Sequence, residues 1–254
     1  MRQCAMTDLL EREAAIVELT AAVQRAKQRL GSVTVIHGEA GIGKSSLLLA
    51  ARQHWDDDVR VLVAYCDDLA TPRALGPIRD LIPFLGADLA QALQGEDRES
   101  VFAALRTEVS GPGPGTVLII EDVHWADEAT FDVLQFLVRR IADLPLALVL
   151  TCRDGAVRNE RRLRALLGMV ATAVRVHRIG LQPLSRESVR LLSVGSPLDA
   201  NALHQLTAGN PFFVTEMIRY GTDPQSPPPT VIDAVLALHS RSARPRGPHW
   251  SSWR

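Results

Sequence analysis

The run Gly38-Glu39-Ala40-Gly41-Ile42-Gly43-Lys44-Ser45 constrains this chain more than any other stretch. It follows a short β-branched segment, Val33 to His37, and leads into Lys44 to His54, a segment rich in leucine and alanine that reads as a helix. Strand, Gly-x-x-x-x-Gly-Lys-Ser and helix, in that order, make a phosphate-binding loop. Its glycines reach backbone conformations closed to other residues, so successive N–H groups can turn inward at the positive end of the following helix. Lys44 is then placed to reach the β- and γ-phosphates, and the Ser45 hydroxyl to ligate Mg²⁺. Glu39, Ala40, Ile42 and Ser46 complete the run of residues expected around the phosphates. The competing reading is a glycine-rich turn carrying a solvated lysine.

Such a loop belongs to a parallel α/β sheet, and the remaining pattern agrees. Residues 8 to 29 have helical spacing, with Leu9, Ile16, Leu19 and Val23 apolar, and Gly31 stops them. Strands are expected at Val59 to Tyr65, Val117 to Ile120, Leu146 to Thr151 and Ala173 to Ile179. The continuous apolar runs among them suit strands buried on both faces. Between them, Leu75 to Val109 reads as two or three short helices broken by Pro77, Pro83, Gly86 and Gly95. Asp127 to Ala142 reads as a helix N-capped by Asp127, and Arg158 to Val170 as a basic one. The expected fold is a doubly wound, five-stranded parallel sheet of the P-loop NTPase type, followed by a small helical subdomain. Residues 1–182 form the core and 183–222 the subdomain, with helices at Ser185 to Ser193, Asp199 to Ala208 and Phe212 to Tyr220. Residues 223–238 are a proline-rich linker, Asp223 to Thr230, and the start of another helix, Val231 to Leu238, and 239–254 an unstructured tail.

The second half of a nucleoside triphosphate site is an acid at the end of another buried strand. Val117-Leu118-Ile119-Ile120 ends in Glu121 and Asp122. Glu121 is assigned to magnesium and Asp122 to activation of the attacking water, with the exchanged assignment open. Taken alone, two acids closing an apolar strand are usually solvated. Thr151 and Arg153 close the next strand, where Arg153 either senses and stabilises the γ-phosphate or pairs with Asp154. Trp125 reads as packing rather than nucleotide stacking. The arginines at 158, 161, 162 and 164 either contact a neighbouring subunit or nucleic acid, or form a solvated helix face.

Composition excludes several classes. A net charge of −1 gives no global field for nucleic acid or an anionic membrane, and no apolar run approaches a bilayer span. Cys4, Cys66 and Cys152 lack metal-like spacing and read as free thiols, which with the absent signal segment points to the cytoplasm.

Four motifs in order carry a resemblance: Gly38 to Ser45, Ile119-Ile-Glu-Asp-Val-His-Trp-Ala-Asp127, Thr151-Cys-Arg-Asp154 and Gly209-Asn-Pro-Phe-Phe213. Over about residues 8 to 238 the chain resembles the ATPase module of the large LuxR-type bacterial transcriptional regulators, within the STAND class of signalling ATPases. Leu9-Leu-Glu-Arg-Glu13 is similar to the lead-in helix of that group. The resemblance implies an AAA- or STAND-like ATPase core with residues 183–222 as a helical lid, and residues 229–236 as the entry into a winged-helix-like segment. It implies ATP or ADP with Mg²⁺ as ligands, and Pro211 touching adenine as it opens a lid helix. It also implies self-association or docking to signalling domains, and DNA binding through a C-terminal domain that this sequence lacks. The likeness fails at His239, which reads as the mark of a truncated or frame-disrupted coding sequence.

Three functions follow. The leading one is a slowly hydrolysing ATP-dependent switch. The others are a stand-alone ATPase with an unknown substrate, and an inert remnant that binds nucleotide weakly.

Overall fold

A computed structural model describes residues 9–220 except Glu96 and Pro112, and gives no side-chain description for Arg158 and Asn159. The linker, the winged-helix-like start and the tail expected beyond residue 220 lie outside the described residues, as does Cys4. The described residues fall into two compact units: one of residues 9–39 and Gly43–Gln182, the other of Ala40–Ile42 and residues 183–220.

The first unit carries the sheet. In chain order it runs α1 (Glu13–Lys27), β1 (Ser32–His37), α2 (Lys44–Arg52), β2 (Arg60–Tyr65), α3 (Gly76–Arg79), α4 (Ala87–Gln94) and α5 (Arg98–Ser110). It continues through β3 (Thr116–Glu121), α6 (Glu128–Arg140), β4 (Leu146–Cys152), α7 (Asp154–Asn159), α8 (Arg161–Thr172) and β5 (Val176–Gly180). All strand pairs are parallel and the spatial order is β2-β3-β4-β1-β5. Every residue of β3 and β4 is buried, as the apolar runs Val117 to Ile120 and Leu146 to Leu150 within them require. The core joins these strands to α5, α6 and α8 through residues such as Leu105, Phe131, Leu134, Leu163 and Leu166.

All five expected strands are present with ends shifted by up to three residues. The basic segment is where expectation and structure differ. Helix is expected to run unbroken from Arg158, but α7 ends at Asn159 and α8 starts at Arg161. The break is local chemistry: Glu160 adopts an extended conformation and its carboxylate accepts from the Arg162 N–H, capping the new helix.

The second unit is helical, with α9 (Arg186–Leu192), α10 (Ala200–Thr207) and α11 (Pro211–Tyr220). Ser185 caps α9 and Asp199 caps α10 through side-chain oxygens. Its buried apolar positions include Leu184, Val189, Leu198, Leu203, Val214 and Met217. The Leu184 N–H donates to the Gly209 carbonyl at 2.8 Å, closing the turn before α11.

Candidate functional site

The sheet order explains why the sequence-expected residues of the first unit meet. β4 lies between β1, which leads into the glycine-rich loop, and β3, which ends in the acids. Ile36 is level with Thr151, and Ile120 with Leu150. The C-terminal ends of three central strands therefore place the start of α2, Glu121-Asp122 and Thr151-Arg153 side by side, at the edge where open α/β sheets bind ligands.

Gly43 sits at φ +96°, where an added Cβ would meet nothing within 4 Å, so its glycine requirement is conformational. It is the N-cap of α2 and supplies no side chain, and the first turn holds no acid. In contrast, α5, α6 and α8 have their first N–H groups satisfied by Asp97, Asp127 and Glu160. The α2 N-terminus thus keeps orphan donors at its positive end, the requirement for holding an anion.

Lys44 is buried and folds back, with Nζ donating to the carbonyls of Gly38 at 3.1 Å and Glu39 at 3.0 Å. Burial lowers its pKa, opposed by the charge of Asp122 and reinforced by that of Arg153. The Ser45 hydroxyl donates to the Glu121 carboxylate. Burial raises the pKa of Glu121, the Ser45 hydrogen bond opposes the rise, and Asp122 adds to it. One hydroxyl and one carboxylate in contact suit a hard cation that draws its remaining ligands from phosphate and water, as Mg²⁺ does. The residues therefore fit a magnesium nucleotide.

Asp122 differs from its neighbour. Its backbone is left-handed, at φ +52°, and its side chain is 40% exposed. Its N–H donates to the Thr151 hydroxyl at 2.8 Å, which pins the end of β3 to that of β4. Among the described residues Asp154 pairs with His37 at 2.7 Å, and no ion pair of Arg153 occurs. Of the basic helix, Arg162 pairs with Glu128 at 2.6 Å, which accounts for one of its arginines. Trp125 is half-buried against the core, in keeping with packing.

Sequence reasoning overlooked His124. It lies in a short 3-10 turn, Val123–Trp125, with its side chain 3% exposed and neither ring nitrogen hydrogen-bonded. Leaving such a group unsatisfied costs about 1–3 kcal/mol, so an explanation is due. Burial holds its pKa down to about 4, against the pull of Asp122. The signal was in the Glu-Asp-Val-His-Trp string, where histidine occurs three residues after the strand-ending acid.

Pro211, Ala40, Gly41 and Ile42 belong to the second unit. There the Asn210 amide donates to the Ala40 carbonyl at 3.0 Å, and the Phe212 N–H donates to the Gly41 carbonyl at 3.2 Å. Gly41, at φ +77°, has no room for more: a Cβ would lie 2.8 Å from Phe212 Cβ and 3.0 Å from Asn210 Oδ1. The Gly-Asn-Pro-Phe motif thus holds the tip of the glycine-rich loop, with Pro211 as the first residue of α11.

The AAA ATPase domain family matches residues 8–150, more than half the chain. This chain belongs to the AAA ATPase domain family. No curated protein matches it significantly. Among solved structures, this AAA ATPase domain is similar to the Walker-type ATPase of Pyrococcus abyssi, at 16% identity and a TM-score of 0.59, covering 93% of this chain and 77% of that one. It is also similar to the ORC1 protein of Aeropyrum pernix in complex with DNA, at 16% identity and a TM-score of 0.54, covering 91% of this chain. The Aeropyrum pernix ORC2 protein, solved with ADPNP and ADP, matches at 14% identity and a TM-score of 0.54, covering 93% of this chain. The chain spans 65% and 64% of those two ORC proteins. At these identities the likeness is one of fold. No described helix is long and apolar enough to cross a membrane.

Proposed function

We propose that this AAA ATPase domain is an ATP-binding, Mg²⁺-dependent and slowly hydrolysing switch module, of the kind the LuxR-type resemblance implies. One observation carries the reading: the α2 N-terminus is left without a side-chain cap, while Lys44 and the Ser45–Glu121 pair adjoin it. The orphan N–H groups take the phosphates, and Lys44 exchanges its carbonyl contacts for the β- and γ-oxygens. Ser45 and Glu121 would hold Mg²⁺, which would supply neutralisation of phosphate charge. Asp122, half-exposed beside them, accepts a proton from the attacking water. That water bonds to the γ-phosphorus as the bond to the β–γ bridging oxygen breaks, giving ADP and phosphate. Arg153, without an ion-pair partner among the described residues, stabilises charge on the γ-oxygens.

The switch part of the reading rests on Asn210 and Phe212, which bond the loop carbonyls of Ala40 and Gly41. A change at the loop tip is felt directly by the start of α11. Pro211, beside them, is assigned to the adenine ring. Partners follow from the same reading: docking to signalling domains or to a second copy transmits the change.

The test is phosphate release from Mg²⁺-ATP together with the rate of ADP loss. The expected result is slow turnover, ADP retained on the protein, and both lost in Lys44→Ala. Fast turnover with weak ADP binding would instead identify a housekeeping ATPase. No release and no nucleotide binding by the wild type would end the proposal.

A further inference from the structure

We infer that His124 is a positioning residue: its Nδ1–H donates to the Asp122 carboxylate and aims it at the attacking water. The inference rests on the hydrolytic reading above and adds a residue to it.

The geometry points one way. The turn Val123–Trp125, closed by the Trp125 N–H on the Asp122 carbonyl at 2.9 Å, brings the His124 ring back towards the end of β3. Nδ1 stands 3.8 Å from Asp122 Oδ1, slightly beyond a hydrogen bond. Asp122 has no other side-chain hydrogen bond or ion pair among the described residues, and its side chain is 40% exposed, which leaves room for another rotamer. His124 cannot move away: its ring is enclosed, with Trp125 tilted against it at 5.0 Å between centroids. A modest rotation of Asp122 therefore satisfies the buried donor and leaves the other carboxylate oxygen for water. Lys44, Arg153 and Asp68 are the other charged groups that act on the ring. Burial, helped by the two cations and opposed by Asp122, keeps the imidazole neutral at pH 7, so it offers one N–H and one acceptor. With Nδ1 as the donor the ring orients Asp122 without competing for the proton of the water.

Three variants and one spectrum test this. His124→Phe keeps the ring shape and removes the donor. His124→Asn places an amide N–H near the Nδ1 position. Asp122→Asn removes the carboxylate. Expected for His124→Phe is a kcat roughly 10²-fold below wild type, with KM and the ADP-induced rise in Tm unchanged. His124→Asn should recover much of that loss, and adding His124→Phe to Asp122→Asn should cost nothing more, because the two act as one unit. In nucleotide-free wild type at pH 7, the long-range ¹H–¹⁵N spectrum should show the Nδ1–H tautomer, with a Nδ1 shift that moves in Asp122→Asn. Wild-type kcat in His124→Phe, no recovery in His124→Asn, or an Nε2–H tautomer would each overturn the inference. If wild type hydrolyses no ATP the hydrolytic reading fails, while the tautomer and its response to Asp122→Asn still decide the hydrogen bond. Should His124→Phe not fold, His124→Asn and the wild-type spectrum carry the test.

Discussion

Gly41 and Gly43 lie two residues apart in one loop, yet they are required for different reasons. Both have positive φ, at +77° and +96°, which an L side chain enters at a cost of about 1–2 kcal/mol. At Gly43 that is the whole cost, since an alanine methyl would project into open space. At Gly41 the methyl also strikes Phe212 Cβ and Asn210 Oδ1, both held by hydrogen bonds. Gly43→Ala should therefore lose about 1–2 kcal/mol of stability by urea denaturation, and Gly41→Ala about 1–3 kcal/mol more from overpacking. Equal losses would place the loop tip away from α11. His124 allows a second prediction. Its folded pKa of about 4 lies below the ordinary 6.5, so between those values the unfolded chain binds more protons. The stability tied to its neutral form is complete above pH 6.5 and is lost as pH falls towards 4. His124→Phe should flatten that acid limb of a Tm–pH curve relative to wild type.

The start of α6 shows an element fixed from two directions. Asp127 accepts from the Thr130 N–H at 3.0 Å as N-cap, and the same oxygen accepts from the Leu75 N–H at 3.0 Å, tying the α3 loop to α6. Asp127→Ala should cost about 1 kcal/mol for the cap and about 1 kcal/mol or more for the stranded Leu75 donor. Urea titration of Asp127→Ala and Asp127→Asn separates the charge from the hydrogen bonds, because asparagine keeps an acceptor oxygen. The cap was legible in the sequence because it is local: an aspartate before an apolar periodic run. The link to Leu75 was not, because it joins residues 52 apart. The same division runs through the site. Gly38 to Ser45 and Val117 to Asp122 announce themselves by spacing, since each is one strand end and one turn. That β4 separates them, or that Asn210 reaches Ala40, depends on strand order and on a contact spanning 170 residues. The α7–α8 break was missed because Glu160 is a good helix former by propensity and acts here through its side-chain cap instead.

Taken over the whole molecule, nucleotide binding should appear as stability. A ligand that binds the folded chain alone stabilises it by mass action, about 2.7 kcal/mol at a hundred times its Kd. For a chain of this size that corresponds to a rise in Tm of roughly 5–10 °C. The site geometry sharpens what each variant should do to that rise. Lys44→Ala removes the cation from the phosphates and should abolish it. Ser45→Ala leaves the α2 N-terminus and Lys44 in place but removes the hydroxyl that touches Glu121. Its Tm should therefore still rise with ADP alone, while the further increment given by Mg²⁺ disappears. Glu121→Gln should behave as Ser45→Ala does, since the two side chains act on one cation. Asp122→Asn should keep both increments, because its carboxylate is assigned to water and not to the metal. A Mg²⁺ increment lost in Asp122→Asn but kept in Glu121→Gln would exchange the two acids' roles. Scanning fluorimetry of the four variants, with and without ADP and Mg²⁺, distinguishes these outcomes. It does so without requiring that turnover be fast enough to measure.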